Sequence, residues 1–112
     1  MAGTRSSEDW TFLTNHARVL ICVGRQPVAR VREIAALVGI TERHVQSIIE
    51  DLETGGYLSR ERVGRRNHYR VHHNASFRHP FERSASVGAL VDLFSEQTAT
   101  HADRPHRFRL AL

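Results

Sequence analysis

Between Ile40 and Val71 the sequence ITERHVQSIIEDLETGGYLSRERVGRRNHYRV changes its hydrophobic period partway along. Val45, Ile48, Ile49 and Leu52 recur at three- and four-residue spacing, which puts them on one face of a helix, and Thr41 stands where a cap is wanted. Gly55-Gly56 stops that helix. Beyond it, Tyr57 to Val63 and His68 to Val71 suit strands, with Gly64-Arg65-Arg66-Asn67 as a hairpin turn between them. Any fold for this chain therefore has to set a helix and a basic hairpin side by side.

The residues before this stretch supply more helix. From a cap at Thr14 or Asn15, HARVLICVGR is apolar around most of its circumference through Ala17, Val19, Leu20, Ile21, Cys22 and Val23, so it needs burial on two sides. Gln26-Pro27 ends it. Val28 to Arg30 is short enough for a single edge strand or a plain connector. VREIAALVGI then places Val31, Ile34, Ala35 and Val38 on one face before Gly39 stops it. After a histidine-rich loop broken by Pro80, SVGALVDLF offers Ser86 as a cap and an apolar stripe of Val87, Leu90, Val91 and Phe94. Residues 1–9 are small and polar and read as a disordered N-terminus, 10–79 as the main domain, 80–95 as a C-terminal helix, and 96–112 as a flexible tail.

The chain has 112 residues, of which 40% are hydrophobic, enough for one modest core and one domain. Its 16 basic residues are all arginine, set against 12 acidic ones for a formal net charge of +4. Their distribution says more than their total. Arg60, Arg62, Arg65, Arg66 and Arg70 face a single acid, Glu61, within eleven positions. That concentration makes an electropositive strip able to meet phosphate, against the plainer reading of a solvated surface. One cysteine, Cys22, excludes an internal disulfide and a CxxC metal or redox site. No segment has the form of a signal peptide or a membrane span, so the expected location is the cytoplasm, with no membrane partner.

Helix, short strand or connector, helix, helix, strand, turn, strand, helix is an order that resembles a winged helix-turn-helix domain. From Val31 to Glu50 the resemblance rests on small Ala35 where two helices cross, Gly39 in the turn, and apolar Ile34, Ile40, Val45 and Ile48. DLETGGYLSRERVGRRNHYRV continues it, resembling the end of the recognition helix and the wing of bacterial regulators of the MarR and ArsR type. The similarity spans roughly Thr14 to Val71. It implies a mainly α fold with a small β-wing, in the α+β class: a three-helix core, a two- or three-stranded antiparallel wing and a C-terminal helix. In one place the sequence departs from the pattern. Relatives often carry Ser or Thr three residues before an acid at the start of the second helix, and here that place is Arg30, with Glu33 retained.

The resemblance implies a sequence-specific transcriptional regulator that binds double-stranded DNA as a homodimer on a palindromic operator. B-DNA admits a helix into its major groove, where residues on the exposed N-terminal part reach base edges. Thr41, Glu42, Arg43, His44, Gln46 and Ser47 occupy that part. Arg43 can pair with guanine and Gln46 with adenine, while Val45, Ile48 and Ile49 face inward. The wing would lay Arg62, Arg65, Arg66, Asn67 and His68 along phosphates or into the minor groove. Glu50, Asp51 and Glu53 read as a solvated face pointing away from DNA. Regulators of this type usually dimerise through terminal helices, which points to Val19, Val23, Val87, Leu90, Val91 and Phe94 as the dimer surface.

Three other readings compete with this one, of which non-specific nucleoid or RNA binding fits the charge but leaves the helix-turn-helix unexplained. A winged helix can be a protein-docking module that never touches DNA, but an arginine-rich wing beside a polar recognition helix argues against a neutral docking face. A metal-responsive sensor of the ArsR kind would draw on His68, His72, His73 and His79. Adjacent His72 and His73 would point to opposite sides of a strand, and no cysteine lies near, so no metal and no cofactor are expected. Nothing resembles a phosphate-cradling glycine loop or an activated nucleophile, so an enzyme is not expected either. A small-molecule effector is compatible with the fold, but no residue set names one.

Overall fold

The computed structural model describes residues 10–99. The N-terminal segment 1–9 and residues 100–112, expected above as a frayed start and most of a flexible tail, lie outside the described residues. The elements run α1 (Asn15–Arg25), α2 (Val31–Val38), α3 (Glu42–Thr54), β1 (Leu58–Val63), β2 (Arg66–Val71), a 3-10 turn (Pro80–Glu82) and α4 (Val87–Ala99).

Thr14 caps α1, its Oγ1 accepting from the Ala17 N–H at 3.2 Å. Five consecutive residues, Val19 to Val23, are buried, because α1 is packed on different sides by α2, α3, α4 and β2. The two-sided burial that its composition demands is thus met within one chain. α2 buries Ile34 and Ala35 and ends at Gly39, whose φ of 87° gives the left-handed cap of a tight helix-to-helix turn. At its start only half of a capping box can form: Glu33 Oε1 accepts the Arg30 N–H at 2.8 Å, while the Arg30 guanidinium has no acceptor to return.

Thr41 caps α3, accepting from the His44 N–H at 3.0 Å, and Val45, Ile48, Ile49 and Leu52 are buried as their spacing requires. Full burial of an Ile or Leu side chain stabilises by about 1.5–3 kcal/mol, so Ile34, Ile48, Ile49 and Leu58 anchor the centre of the molecule. α4 closes the core by docking Val87 and Val91, 1% exposed each, against α1. It lies close because α1 carries Gly24 at the crossing, where a Cβ would meet Val91 Cγ1 at 2.5 Å. The loop before α4 is tied to its first turn, the Val87 and Gly88 N–H groups donating to the Ala75 and His73 carbonyls at 2.9 and 3.0 Å. The helix continues to Ala99, past the boundary at 95 expected from its apolar stripe.

β1 and β2 pair antiparallel in the register Leu58↔Val71 to Val63↔Arg66. This shortens the turn to Gly64-Arg65 and moves Arg66 and Asn67, expected in the turn, onto β2. Gly64 has φ 63° and Arg65 does not have a positive φ, the pattern of a two-residue turn with glycine first, whose twist matches that of the strands. Val28 to Arg30 is a connector and not a strand: the Tyr69 N–H donates to the Pro27 carbonyl at 2.8 Å, and the sheet has two strands. Three helices, a hairpin wing and a fourth helix make this a winged helix-turn-helix fold. No helix among the described residues is long and apolar enough to cross a membrane.

Candidate nucleic-acid interface

α3 divides sharply. Its four apolar residues are inside, and Thr41, Glu42, Arg43, His44, Gln46 and Ser47 are all exposed. Arg43, Gln46, Ser47 and Glu50 follow three- and four-residue spacing, so they form one stripe along the outward side. Glu50 is therefore one turn behind Gln46 on that stripe, and not on the averted face expected from its charge. Asp51 and Glu53 are likewise more than a solvated face. Asp51 pairs with His16 of α1 at 2.8 Å, and half-buried Glu53 takes a hydrogen bond from Arg60 at 3.1 Å. These pairs join α3 to its neighbours on both sides and leave Arg43, among the described residues, without a partner.

The arginines of the hairpin do not form one strip. Directly opposed residues share a face of a two-stranded sheet. Arg60 and Arg62 thus lie on the face of Leu58, Tyr69 and Asn67, whereas Arg66 and Arg70 lie on the other with Glu61 and His68. Arg65 stands at the tip, exposed and, among the described residues, unpaired. Arg62 folds back on the turn, its Nε donating to the Gly64 carbonyl at 3.4 Å. Arg66 reaches across to the connector, where Nη1 donates to the Val28 carbonyl at 3.0 Å. Asn67 and His68 are half-buried against their cross-strand partners. Of the five wing residues expected to meet DNA, Arg65 is the most free to do so.

Arg30, not among the residues expected to meet DNA, stands beside the wing. It lines, with Ala29, Val31, Arg65, Arg66 and Asn67, a cavity of about 250 Å³ between the wing and the start of α2. The one signal in the sequence was the arginine standing where a capping hydroxyl is usual.

Four of the six residues expected at a dimer surface are core instead. Val19 and Val23 are 0% exposed and Val87 and Val91 are 1% exposed within a single chain, so they hold α1 and α4 to each other and present nothing to a second copy. Leu90 and Phe94 remain half-exposed. Of the large apolar side chains at the surface, Phe12 at 90% and Phe81 at 89% are the most exposed, and they line one groove with Leu90.

The histidines are dispersed. His72 hydrogen-bonds Ser59 Oγ at 2.5 Å and the Gly56 carbonyl at 2.9 Å, pinning the base of the wing to the end of α3. His79 caps the 3-10 turn by accepting from the Phe81 N–H at 3.0 Å. Among the described residues no three ligating side chains gather as a metal site would require. Cys22 is buried in the core, and that burial pushes its thiol above the usual range, with Arg25 opposing weakly.

A helix-turn-helix whose second helix turns a polar stripe outward beside a hairpin wing is the architecture of winged helix-turn-helix domains. Eight solved chains are similar, among them the following two. One is the homodimeric winged helix-turn-helix DNA-binding domain of a possible ArsR-family transcriptional regulator from Mycobacterium bovis, 20% identical, with a TM-score of 0.49, covering 80% of this chain and 71% of that one. The other is the PcaV transcriptional regulator from Streptomyces coelicolor in complex with its natural ligand, 19% identical, with a TM-score of 0.47, covering 97% of this chain and 81% of that one. No protein-family model and no curated protein matches the sequence.

Proposed function

We propose that this chain is a sequence-specific DNA-binding transcriptional regulator that places α3 in the major groove of a palindromic operator as a homodimer. The reading is carried by one observation: every apolar residue of α3 is turned inward, and its cap Thr41 and the five polar residues of its N-terminal half are exposed together. Arg43 and Gln46 have the donors and acceptors that guanine and adenine present in the major groove. Arg65, at the tip of the wing, supplies sequence-independent attraction to phosphate. Pairing of two chains is assigned to the groove of Phe12, Phe81 and Leu90 and to the outward side of α4, because an apolar surface of that kind favours a covering partner.

Selection of bound sequences from a pool of random duplexes tests the proposal directly. A recovered inverted repeat whose half-sites lie about one helical turn, roughly 34–36 Å, apart supports both base reading and two-fold symmetry. Recovery of no preferred sequence would turn the reading toward a protein-docking module.

A further inference from the structure

Resting on the DNA-binding reading, we infer that Arg30 of the connector and Arg65 and Arg66 of the wing together hold one DNA backbone phosphate, so that the wing and the helix-turn-helix grip the duplex as a unit. These three side chains come from segments some 35 positions apart and converge on a single cavity of about 250 Å³. That is several times the ~30 Å³ that a water occupies in the liquid, enough for a tetrahedral oxyanion with its remaining waters.

Among the described residues no acidic one lines the cavity. Arg60, by contrast, has the Glu53 carboxylate at 3.1 Å. Here three arginines line one space with no carboxylate from the described residues, so an anion entering it meets an uncompensated positive potential. The carboxylate of Glu33, on the first turn of α2, has its Oε1 engaged by the Arg30 backbone N–H. Arg66 is already oriented, since Nη1 donates to the Val28 carbonyl and leaves its other donors free. The guanidinium groups of Arg30 and Arg65 make no hydrogen bond or ion pair among the described residues. Guanidinium forks match phosphate geometry, and a phosphodiester is the anion that a helix-turn-helix meets at every step along a duplex. Arg30 thereby takes up a task that the usual capping hydroxyl at its position could not perform as a cation.

The test measures duplex affinity against salt for the wild-type chain, for Arg30→Ala, for Arg65→Ala and for the double variant, with Arg83→Ala as a distant control. Each single replacement is expected to weaken cognate and random duplexes alike, by about tenfold. The slope of log affinity against log salt should fall by about 0.9 per chain. The double variant should lose little more than either single one, because both side chains serve the same phosphate. Unchanged affinity and slope in Arg30→Ala, or losses that simply add in the double variant, would overturn the shared site. Titration with inorganic phosphate, followed through the backbone amides of Val31 and Asn67, separates this proposal from the broader reading. Shifts in the wild type that vanish in Arg30→Ala keep the anion site even if no duplex is bound. Their absence at millimolar phosphate removes it.

Discussion

Arg43 and Gln46 stand three residues apart on the outward stripe of α3, and each can make a two-pronged contact with one base. Replacing either by alanine should weaken cognate DNA by roughly 1–3 kcal/mol per half-site and hardly change binding to random duplex, as read by fluorescence anisotropy on both. Equal loss on the two DNAs would mean that α3 is not reading bases. At Cys22 the same scale gives a pH effect. Burial raises the folded-state thiol pKa above the unfolded value. The native chain therefore holds a proton that the unfolded chain gives up, and stability is full below the unfolded pKa and lost as pH rises through the folded one. Denaturant melts of the wild type should show a steeper alkaline decline than those of Cys22→Ala, and the native thiol should resist alkylation that proceeds readily once the chain is unfolded. Matching alkaline slopes would place the pH dependence elsewhere.

Among the elements, the α1–α4 crossing is the most demanding. A Cβ at position 24 would fall 2.5 Å from Val91 Cγ1, so Gly24→Ala has to push α4 outward although alanine is the better helix former. We expect it to destabilise by about 1–3 kcal/mol. Adding Val91→Ala should recover part of that loss, by a cycle of thermal melts. If Gly24→Ala were neutral or stabilising, the two helices would not be in such close contact. The cap of α3 is a smaller contribution: Thr41 Oγ1 accepts one N–H, and Thr41→Ala should cost about 1 kcal/mol of stability. Thr41→Ser, which keeps the acceptor, should restore most of it.

For the whole molecule, assembly is the open consequence of its surface. Phe12 and Phe81 are almost wholly exposed, so Phe81→Asp should leave the melting temperature of the chain itself nearly unchanged while abolishing pairing. Sedimentation is the measurement, with a dimer expected for the wild type at micromolar concentration and a monomer for the variant. A wild-type chain that sediments as a monomer would remove the two-fold reading of the operator as well. The variant should also bind a palindromic site far more weakly than the wild type but a single half-site about equally, since the second contact is then no longer intramolecular.

The sequence by itself determined the elements and their inward faces. Thr14 and Thr41 are caps, Gly39 is the helix stop, and the four apolar residues of α3 are buried, because helix periodicity and capping are local properties written within a few residues. It also determined that Thr41, Glu42, Arg43, His44, Gln46 and Ser47 face outward, since fixing the apolar face fixes its opposite. Only the tertiary structure decided where apolar and charged residues with no local partner would go. Val19, Val23, Val87 and Val91 read equally well as a dimer surface or a core, and the closeness allowed by Gly24 made them core. The arginine run from 60 to 70 looked like one strip until strand register divided it between two faces, because a one-residue change in pairing exchanges the faces. Arg30 and Arg65 line one cavity only because Pro27 and Val28 lie along β2. That contact between distant segments is set by packing, and no short stretch of the sequence encodes it.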